Sequence, residues 1–287
     1  MAAPLTADTL VAALTAEGVT VVEHGDWRTH NRNSAGAWGP VNGVIVHHTV
    51  TSGTSASVDL CYDGTTDLPG PLCHGVIDKD GTVYLVGNGR ANHAGLGDAG
   101  VLAAVIAETV LPAPDSDDVD GNTRFYGFEC INLGDGSDPW PEAQLEALAR
   151  VCAAVCRRHG WGAASVIGHL EWTFRKIDPT GFSMASMRTR IAALLAAAPG
   201  GSATRYQPFP GDAFFKSAPH STIVAAMGGR LVAEGCSAYA DGPGPQWSDA
   251  DRASYALWQQ KLGYTGADAD GWPGATSWNS LKVPYTA

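Results

Sequence analysis

Residues 44–49 read Val-Ile-Val-His-His-Thr and follow a glycine, a pattern that predicts a β-strand. Because successive side chains of a strand point to opposite faces, only one of His47 and His48 can face a given site. Further along the chain, residues 75–86 read GVIDKDGTVYLV. Their central Asp80-Gly81 pair supplies the positive-φ residues of a tight turn, so this segment predicts a β-hairpin.

Strand and helix patterns alternate on both sides of the hairpin. Apolar residues recur at helical spacing after Pro141 and stop before Gly160, which predicts an amphipathic helix with a defined start and end. The pattern predicts an α/β fold whose central mixed β-sheet is flanked by helices. The predicted strands outside the hairpin are 44–49, 125–133 and 165–168, and the predicted helices are 7–17, 141–159 and 184–195.

The composition limits the kinds of partner. The chain has 287 residues, of which 45% are hydrophobic, so it can bury one large core or two ordinary ones. Its 18 Lys and Arg against 29 Asp and Glu give a net charge of -11, which argues against a nucleic-acid partner. We expect no membrane span, because no segment approaches about 20 uninterrupted apolar residues. We also expect no signal peptide, because the first residues lack a basic region and carry Asp8.

The six cysteines are too few and too scattered to form a disulfide scaffold in a chain of this length. We expect them to be mostly reduced and buried. Cys152 and Cys156 lie at a core-facing helical spacing. Cys61 and Cys73 flank a loop rich in Gly and Pro and could form one disulfide in an oxidising environment, which the sequence leaves open.

A change in composition near residue 200 predicts two domains. The stretch AAAPGGSAT at 196–204 has the small residues of a linker, so we place a first domain at 1–195, a linker at 196–205 and a second domain at 206–287. The second domain is predicted to be all-α with three small helices. A core of that size is modest, so we expect four tryptophans to help fill it. The helices are 223–234, 249–262 and 276–281, and the tryptophans are Trp247, Trp258, Trp272 and Trp278.

A candidate chemical site lies at residues 168–179, GHLEWTFRKIDP. His169 follows a predicted strand, and Asp178 precedes a proline, which favours an extended backbone. Together with His47 these residues provide two histidines and one carboxylate, a ligand set that catalytic zinc uses while keeping a fourth position for water. Lys176 lies on the same side of the extended segment as Asp178. Spacing alone does not establish that His47 and His169 meet.

At these residues the chain resembles the zinc-dependent N-acetylmuramoyl-L-alanine amidases of the amidase-2 and peptidoglycan-recognition fold, especially endolysins of phages that infect actinobacteria. The resemblance covers residues 41–195. It rests on the motifs VIVHHT, HGVIDKDGTVYLV, RANHAG, YGFE and GHLEWTFRKIDP, which occur in the order of the family. One departure is Cys73, where some members of the family carry a tyrosine.

The resemblance implies a role for each matching residue. It implies that Zn²⁺ is bound by His47, His169 and Asp178. Glu129 is then the acid and base near the zinc-bound water, and Lys176 steadies the oxyanion. Further candidates that would line the substrate groove are His93, Asn92 and Trp172.

The implied activity is hydrolysis of the amide bond between N-acetylmuramic acid and L-alanine, which degrades the bacterial cell wall during host lysis and makes the protein bacteriolytic. Two alternatives stay open: a non-catalytic module that recognises peptidoglycan, and a zinc endopeptidase that cuts within the stem peptide. The intact ligand set favours an enzyme over the recognition module. A glycosidase is disfavoured, because no pair of carboxylates accompanies the histidines.

The second domain resembles small three-helix peptidoglycan-binding domains through DRASYALWQQKLGY at 251–264 and ADGWPGATSWNSL at 269–281. This resemblance implies a tether that raises the local concentration of the enzyme at the wall. The alternatives are a role in fold stability or in dimerisation. We expect a monomer whose partner is peptidoglycan, held in the host cytoplasm until lysis and then active at the cell wall.

Overall fold

The computed structural model describes residues 2–200 and 206–286. The chain divides into two units, residues 1–203 and 204–287. Residues 201–205 of the predicted linker lie outside the described residues, and residues 197–200 follow a helix that ends at Ala196.

A six-stranded mixed sheet forms the centre of the first unit, as predicted. Its strand order is β1-β4-β3-β7-β2-β8, and only the β3–β4 hairpin is antiparallel. β2 lies between β7 and β8, and all six of its residues are buried. The strands are β1 Val21–Glu23, β2 Gly43–His48, β3 Gly75–Ile77, β4 Val83–Leu85, β7 Phe125–Cys130 and β8 Val166–Gly168, with β5 Leu96–Gly97 and β6 Val119–Asp120 in a separate antiparallel pair.

Helices cover the sheet. The longest, α4, begins after Pro141 and ends before Gly160, a left-handed cap residue whose N–H donates back to Arg157 O. The core-facing prediction for Cys152 and Cys156 is confirmed, because both are fully buried. Three of these helices, α2, α3 and α5, were not predicted from the sequence. The helices of this unit are α1 Ala7–Ala16, α2 Thr54–Asp63, α3 Ala99–Ala107, α4 Glu142–His159, α5 His169–Trp172 and α6 Met184–Ala196.

Within its described residues, 206–286, the second unit is helical and has one α-helix more than the three predicted. The additional helix, α7, spans only Asp212–Lys216, which is too short for a periodic apolar pattern. The expected role of the tryptophans is confirmed: Trp247, Trp258 and Trp278 are buried in the core, and Trp272 packs against it. The other helices are α8 Thr222–Ala233, α9 Asp249–Lys261 and α10 Ala275–Leu281.

All six cysteines are free thiols and buried, as expected, including Cys61 and Cys73. Among the helices of the described ranges, none combines the length and apolar character needed to cross a bilayer.

Candidate metal centre

Three neighbouring parallel strands, β7, β2 and β8, bring candidate residues together at their carboxyl ends. In the parallel β2–β7 pair, His47 lies opposite Glu129, so their side chains share one face. On the other side of β2, Val46 pairs with Gly168 at the end of β8, and His169 follows as the first residue of α5. Two segments far apart in the sequence therefore meet because their strands are neighbours in parallel register.

His47, His169 and Asp178 form a compact group that we call the metal cluster. The His47 Nδ1 atom lies 3.0 Å from His169 Nδ1 and 3.0 Å from Asp178 Oδ2. The His169 Nδ1 atom lies 3.1 Å from the same carboxylate oxygen. The backbone N–H of Leu170 donates to Asp178 O at 2.8 Å, which holds the Asp178 segment beside α5.

The chemistry of these donor atoms fits a divalent metal. His169 Nε2 lies 3.2 Å from Ala94 O, and a carbonyl oxygen can only accept, so Nε2 is the donor there and Nδ1 is the ring nitrogen that faces the cluster. Burial is the main cause that lowers the pKa of His47 to about 4, and the charge of His169 acts in the same direction, whereas Asp178 raises the pKa. His47 is therefore neutral at pH 7. Two imidazoles and one carboxylate are three ligands of the kind that a catalytic zinc site uses.

Asp178 supplies the negative charge of the cluster. Burial opposes its ionisation, but the side chains of His169 and His47 outweigh that effect and lower the pKa of Asp178 well below the usual value of an aspartate. The carboxylate is therefore ionised at neutral pH, and it faces two imidazole nitrogens that need a proton or a cation between them.

Glu129 lies beside the cluster with an unusual environment for a carboxylate. Its Oε2 atom is buried, and none of the described residues forms a hydrogen bond with it. Burial, and after it the neighbouring Cys61 and Asp178, raise the pKa of Glu129 well above its ordinary value, while Lys176 acts in the opposite direction. A carboxyl group with a raised pKa holds a proton more readily than an ordinary glutamate, which suits a group that takes up and returns a proton during catalysis.

Lys176 is exposed, and its positive charge acts on both His47 and Glu129. The structure therefore brings together five of the residues singled out in the sequence: the three of the metal cluster, Glu129 and Lys176. The adjacent His48 points to the other face of β2, as predicted, where its Nδ1 accepts a hydrogen bond from Thr180 N–H.

His93 lies behind His47 instead of in the groove where we expected it. Its side chain is buried, with Nδ1 at 3.0 Å from His47 Nε2 and Nε2 at 3.0 Å from Phe125 O. Both ring nitrogens are therefore engaged within the protein, and none is left for a substrate.

The expectation that Trp172 lines the groove is also wrong, because its side chain is completely buried. The indole packs on Phe125 and fits against two glycines, Gly97 and Gly121, at each of which a Cβ atom would overlap the ring. Trp172 ends α5, so this packing fixes the helix that begins with His169. Asn92 is half-buried, and its side-chain amide lies 3.4 Å from Pro69 O.

A cavity that the sequence analysis did not identify opens next to the segment that follows Asp178. It has a volume of about 320 Å³ and is lined by Asn132, Trp140 and Thr180 among others. Trp140 offers an aromatic wall, and Thr180 is two residues from Asp178. The only signal in the sequence was an isolated tryptophan after a turn, which does not distinguish a groove residue from a core residue.

Comparison with known proteins gives one family. The model of the Amidase_2 family, described as N-acetylmuramoyl-L-alanine amidase, matches residues 37–181, just over half of the chain. That segment contains the metal cluster and Glu129. Among curated proteins, no match to the sequence was found.

Several solved structures are similar to this chain. An endolysin N-acetylmuramoyl-L-alanine amidase, LysCS, from Clostridium intestinale URNW is 16% identical, covers 60% of this chain and 95% of its own, and has a TM-score of 0.42. The hydrolase AmiA of Staphylococcus aureus in complex with its ligand is 13% identical over 67% of this chain and 93% of its own, with a TM-score of 0.42. A mutant endolysin from Bacillus subtilis is 17% identical over 60% of this chain and 99% of its own, with a TM-score of 0.40.

Proposed function

The chain belongs to the N-acetylmuramoyl-L-alanine amidase family, and from this premise we propose that it is a zinc hydrolase that cleaves the amide bond between N-acetylmuramic acid and L-alanine in peptidoglycan. The observation that carries the proposal is the metal cluster, in which two imidazole nitrogens and one carboxylate oxygen converge within 3.1 Å of one another. We assign this activity to the domain at 1–195.

Each residue near the cluster has a task in the proposed reaction. His47, His169 and Asp178 would hold the zinc. When bound, zinc supplies Lewis-acid chemistry, because it lowers the pKa of a water molecule and polarises a carbonyl group. Glu129 takes the proton from the attacking water and returns it to the amine of L-alanine as the amide bond breaks. Lys176 places a positive charge near the carbonyl oxygen, which becomes negative in the transition state.

Digestion of purified peptidoglycan tests this function. We expect new N-terminal L-alanine on released stem peptides, glycan strands without new reducing ends, and a fall in rate of at least about 100-fold with a chelator that added zinc reverses. Mass spectrometry of the products separates the alternatives. Cuts within stem peptides would instead favour the endopeptidase, intact walls would favour a recognition module, and chelator-independent reducing ends would contradict the proposal.

We propose that the second domain, 206–287, binds the wall polymer and tethers the enzyme to it. Trp272 supports this proposal, because its partly exposed ring stacks on Trp247 at 5.6 Å and borders a cavity of about 190 Å³ lined by both acidic and basic side chains. Aromatic surfaces with adjacent polar groups are suited to amphipathic organic ligands.

Sedimentation with isolated cell walls tests the tether. A chain ending at residue 200 should lose at least about 10-fold in wall binding, because it lacks the second contact with the polymer. Its rate on a soluble muropeptide should equal that of the full chain, which controls for folding of the first domain. Equal sedimentation of both chains would show that the second domain does not bind walls.

The biological setting is a further part of the proposal. We infer that the protein is a phage endolysin that acts as a monomer, remains in the host cytoplasm until lysis, and then degrades the cell wall. The resemblance of its motifs to endolysins of phages that infect actinobacteria supports this setting.

A further inference from the structure

We propose that His93 and Ala94 form a positioning pair that accepts hydrogen bonds from the outer ring nitrogens of both histidines of the metal cluster and so holds their Nδ1 atoms toward the metal site. The inference deepens the proposed function and rests on it, because it concerns how the chain prepares these nitrogens for a divalent cation. His93 acts through its side chain on His47, and Ala94 acts through its carbonyl group on His169.

The directions of the hydrogen bonds of the His93 ring follow from the carbonyl group of Phe125, which can only accept. Phe125 O lies 3.0 Å from His93 Nε2, so Nε2 must carry a proton. No described carboxylate forms a hydrogen bond with the buried His93 ring, so a second proton on the ring would be an unpaired buried charge, and its Nδ1 therefore presents a lone pair. His47 Nε2, at 3.0 Å from that lone pair, must then be the donor. His47 Nε2 is thus directed at His93, and its Nδ1 is directed at the metal cluster.

The second ligand is fixed from the next residue. Ala94 O accepts a hydrogen bond from His169 Nε2 at 3.2 Å, which turns His169 Nδ1 toward the metal cluster as well. One buried side chain holds both members of the pair, because Asn122 Oδ1 accepts from His93 N–H at 2.9 Å and from Ala94 N–H at 2.8 Å. The His93–Ala94 dipeptide, anchored by Asn122, therefore orients both His47 and His169.

The packing around His93 prevents it from leaving this arrangement. Gly127 on β7 lies so close that a Cβ atom there would overlap the His93 ring. On another side, the His74 ring has its centroid 5.8 Å from that of His93. Histidines that bind metals commonly donate to a carboxylate or a carbonyl group. Here His47 donates to a neutral imidazole. The residue behind this ligand therefore adds no negative charge to the site, and a bound dication keeps more of its Lewis acidity.

Zinc affinity, measured without substrate by competition with a chromophoric chelator, tests the inference. His93→Phe in the full chain removes the acceptor and should weaken zinc binding by about 10- to 100-fold. His93→Asn, whose amide oxygen can replace Nδ1 as an acceptor, should recover most of that loss. His74→Phe is the matched control: His74 is equally buried and bonds to Gly89 O and Gly127 N–H, so its loss should leave zinc affinity unchanged.

A second measurement needs no variant and therefore does not depend on how well His93→Phe folds. Nitrogen-15 shifts of the histidine rings in the zinc-loaded wild-type chain at neutral pH should show protonated Nε2 and metal-bound Nδ1 for His47 and His169. The opposite tautomer of His47, or unchanged zinc affinity in folded His93→Phe, would overturn the inference while leaving the amidase function intact. A wild-type chain that binds no zinc would overturn the zinc-dependent function and the inference with it.

Discussion

Replacing His169 with alanine is expected to abolish stoichiometric zinc binding and to lower the rate of peptidoglycan hydrolysis by at least about 1,000-fold. The variant leaves only His47 and Asp178 in the metal cluster, whereas catalytic zinc sites use three protein ligands. A loss of about 4 kcal/mol of transition-state stabilisation corresponds to that change in rate. The measurements are zinc content after dialysis and the release of stem peptides from purified walls.

The matched control is His220→Ala, which removes an exposed histidine from the second unit. It should keep the zinc content and the rate of the wild type, so that a general effect of removing a histidine is separated from the loss of a ligand. His169 is the first residue of α5, where alanine is well tolerated, and the variant should remain folded. Hydrolysis at the wild-type rate by His169→Ala would remove the metal cluster from the mechanism.

Replacing Glu129 with glutamine should separate proton transfer from metal binding. Glutamine has nearly the same shape but does not take up a proton, so the rate should fall by about 100- to 10,000-fold while zinc affinity is retained. Glu146→Gln makes the same chemical change on α4, where Glu146 pairs with Arg150, and it should leave the rate unchanged. A Glu129→Gln enzyme that hydrolyses walls at the normal rate would show that another group transfers the proton.

The same variant should change how stability depends on pH in the metal-free protein. The pKa of Glu129 is higher in the folded chain than in the unfolded chain, so folding loses stability as the pH rises through the folded pKa. Glutamine does not titrate, and Glu129→Gln should therefore become more stable than the wild type as the pH rises through that range. Urea unfolding at several pH values measures the difference, and equal curves at all pH values would contradict the raised pKa.

The parts of the fold with local signals could be predicted from the sequence. β2 was evident from its β-branched residues, the β3–β4 hairpin from Asp80-Gly81, and α4 from its apolar period between Pro141 and Gly160. α3 was missed for a physical reason: residues 99–107 read AGVLAAVIA, an almost wholly apolar run without a helical period. Its start depends on Asp98, whose side chain accepts a hydrogen bond from Val101 N–H.

The site was predictable only in part, because its geometry depends on contacts between distant segments. His47 and His169 meet only because β2 pairs with β8, which no spacing in the sequence reveals, and the prediction depended on a resemblance of motifs. The motifs also pointed to His93 and Trp172, but assigned them to the substrate groove. Both side chains are buried, and burial is a property of packing that a motif does not encode.

The fit of Trp172 against two glycines has a consequence for how this enzyme can be altered. Gly97 and Gly121 contribute no chemistry, yet any side chain at either position would have to displace an indole that ends the helix beginning with His169. Randomised libraries should therefore yield few active clones with changes at these two sites, whereas exposed positions such as Asp67 should accept nearly any residue. For an engineer, these glycines belong with the metal ligands among the positions to leave untouched.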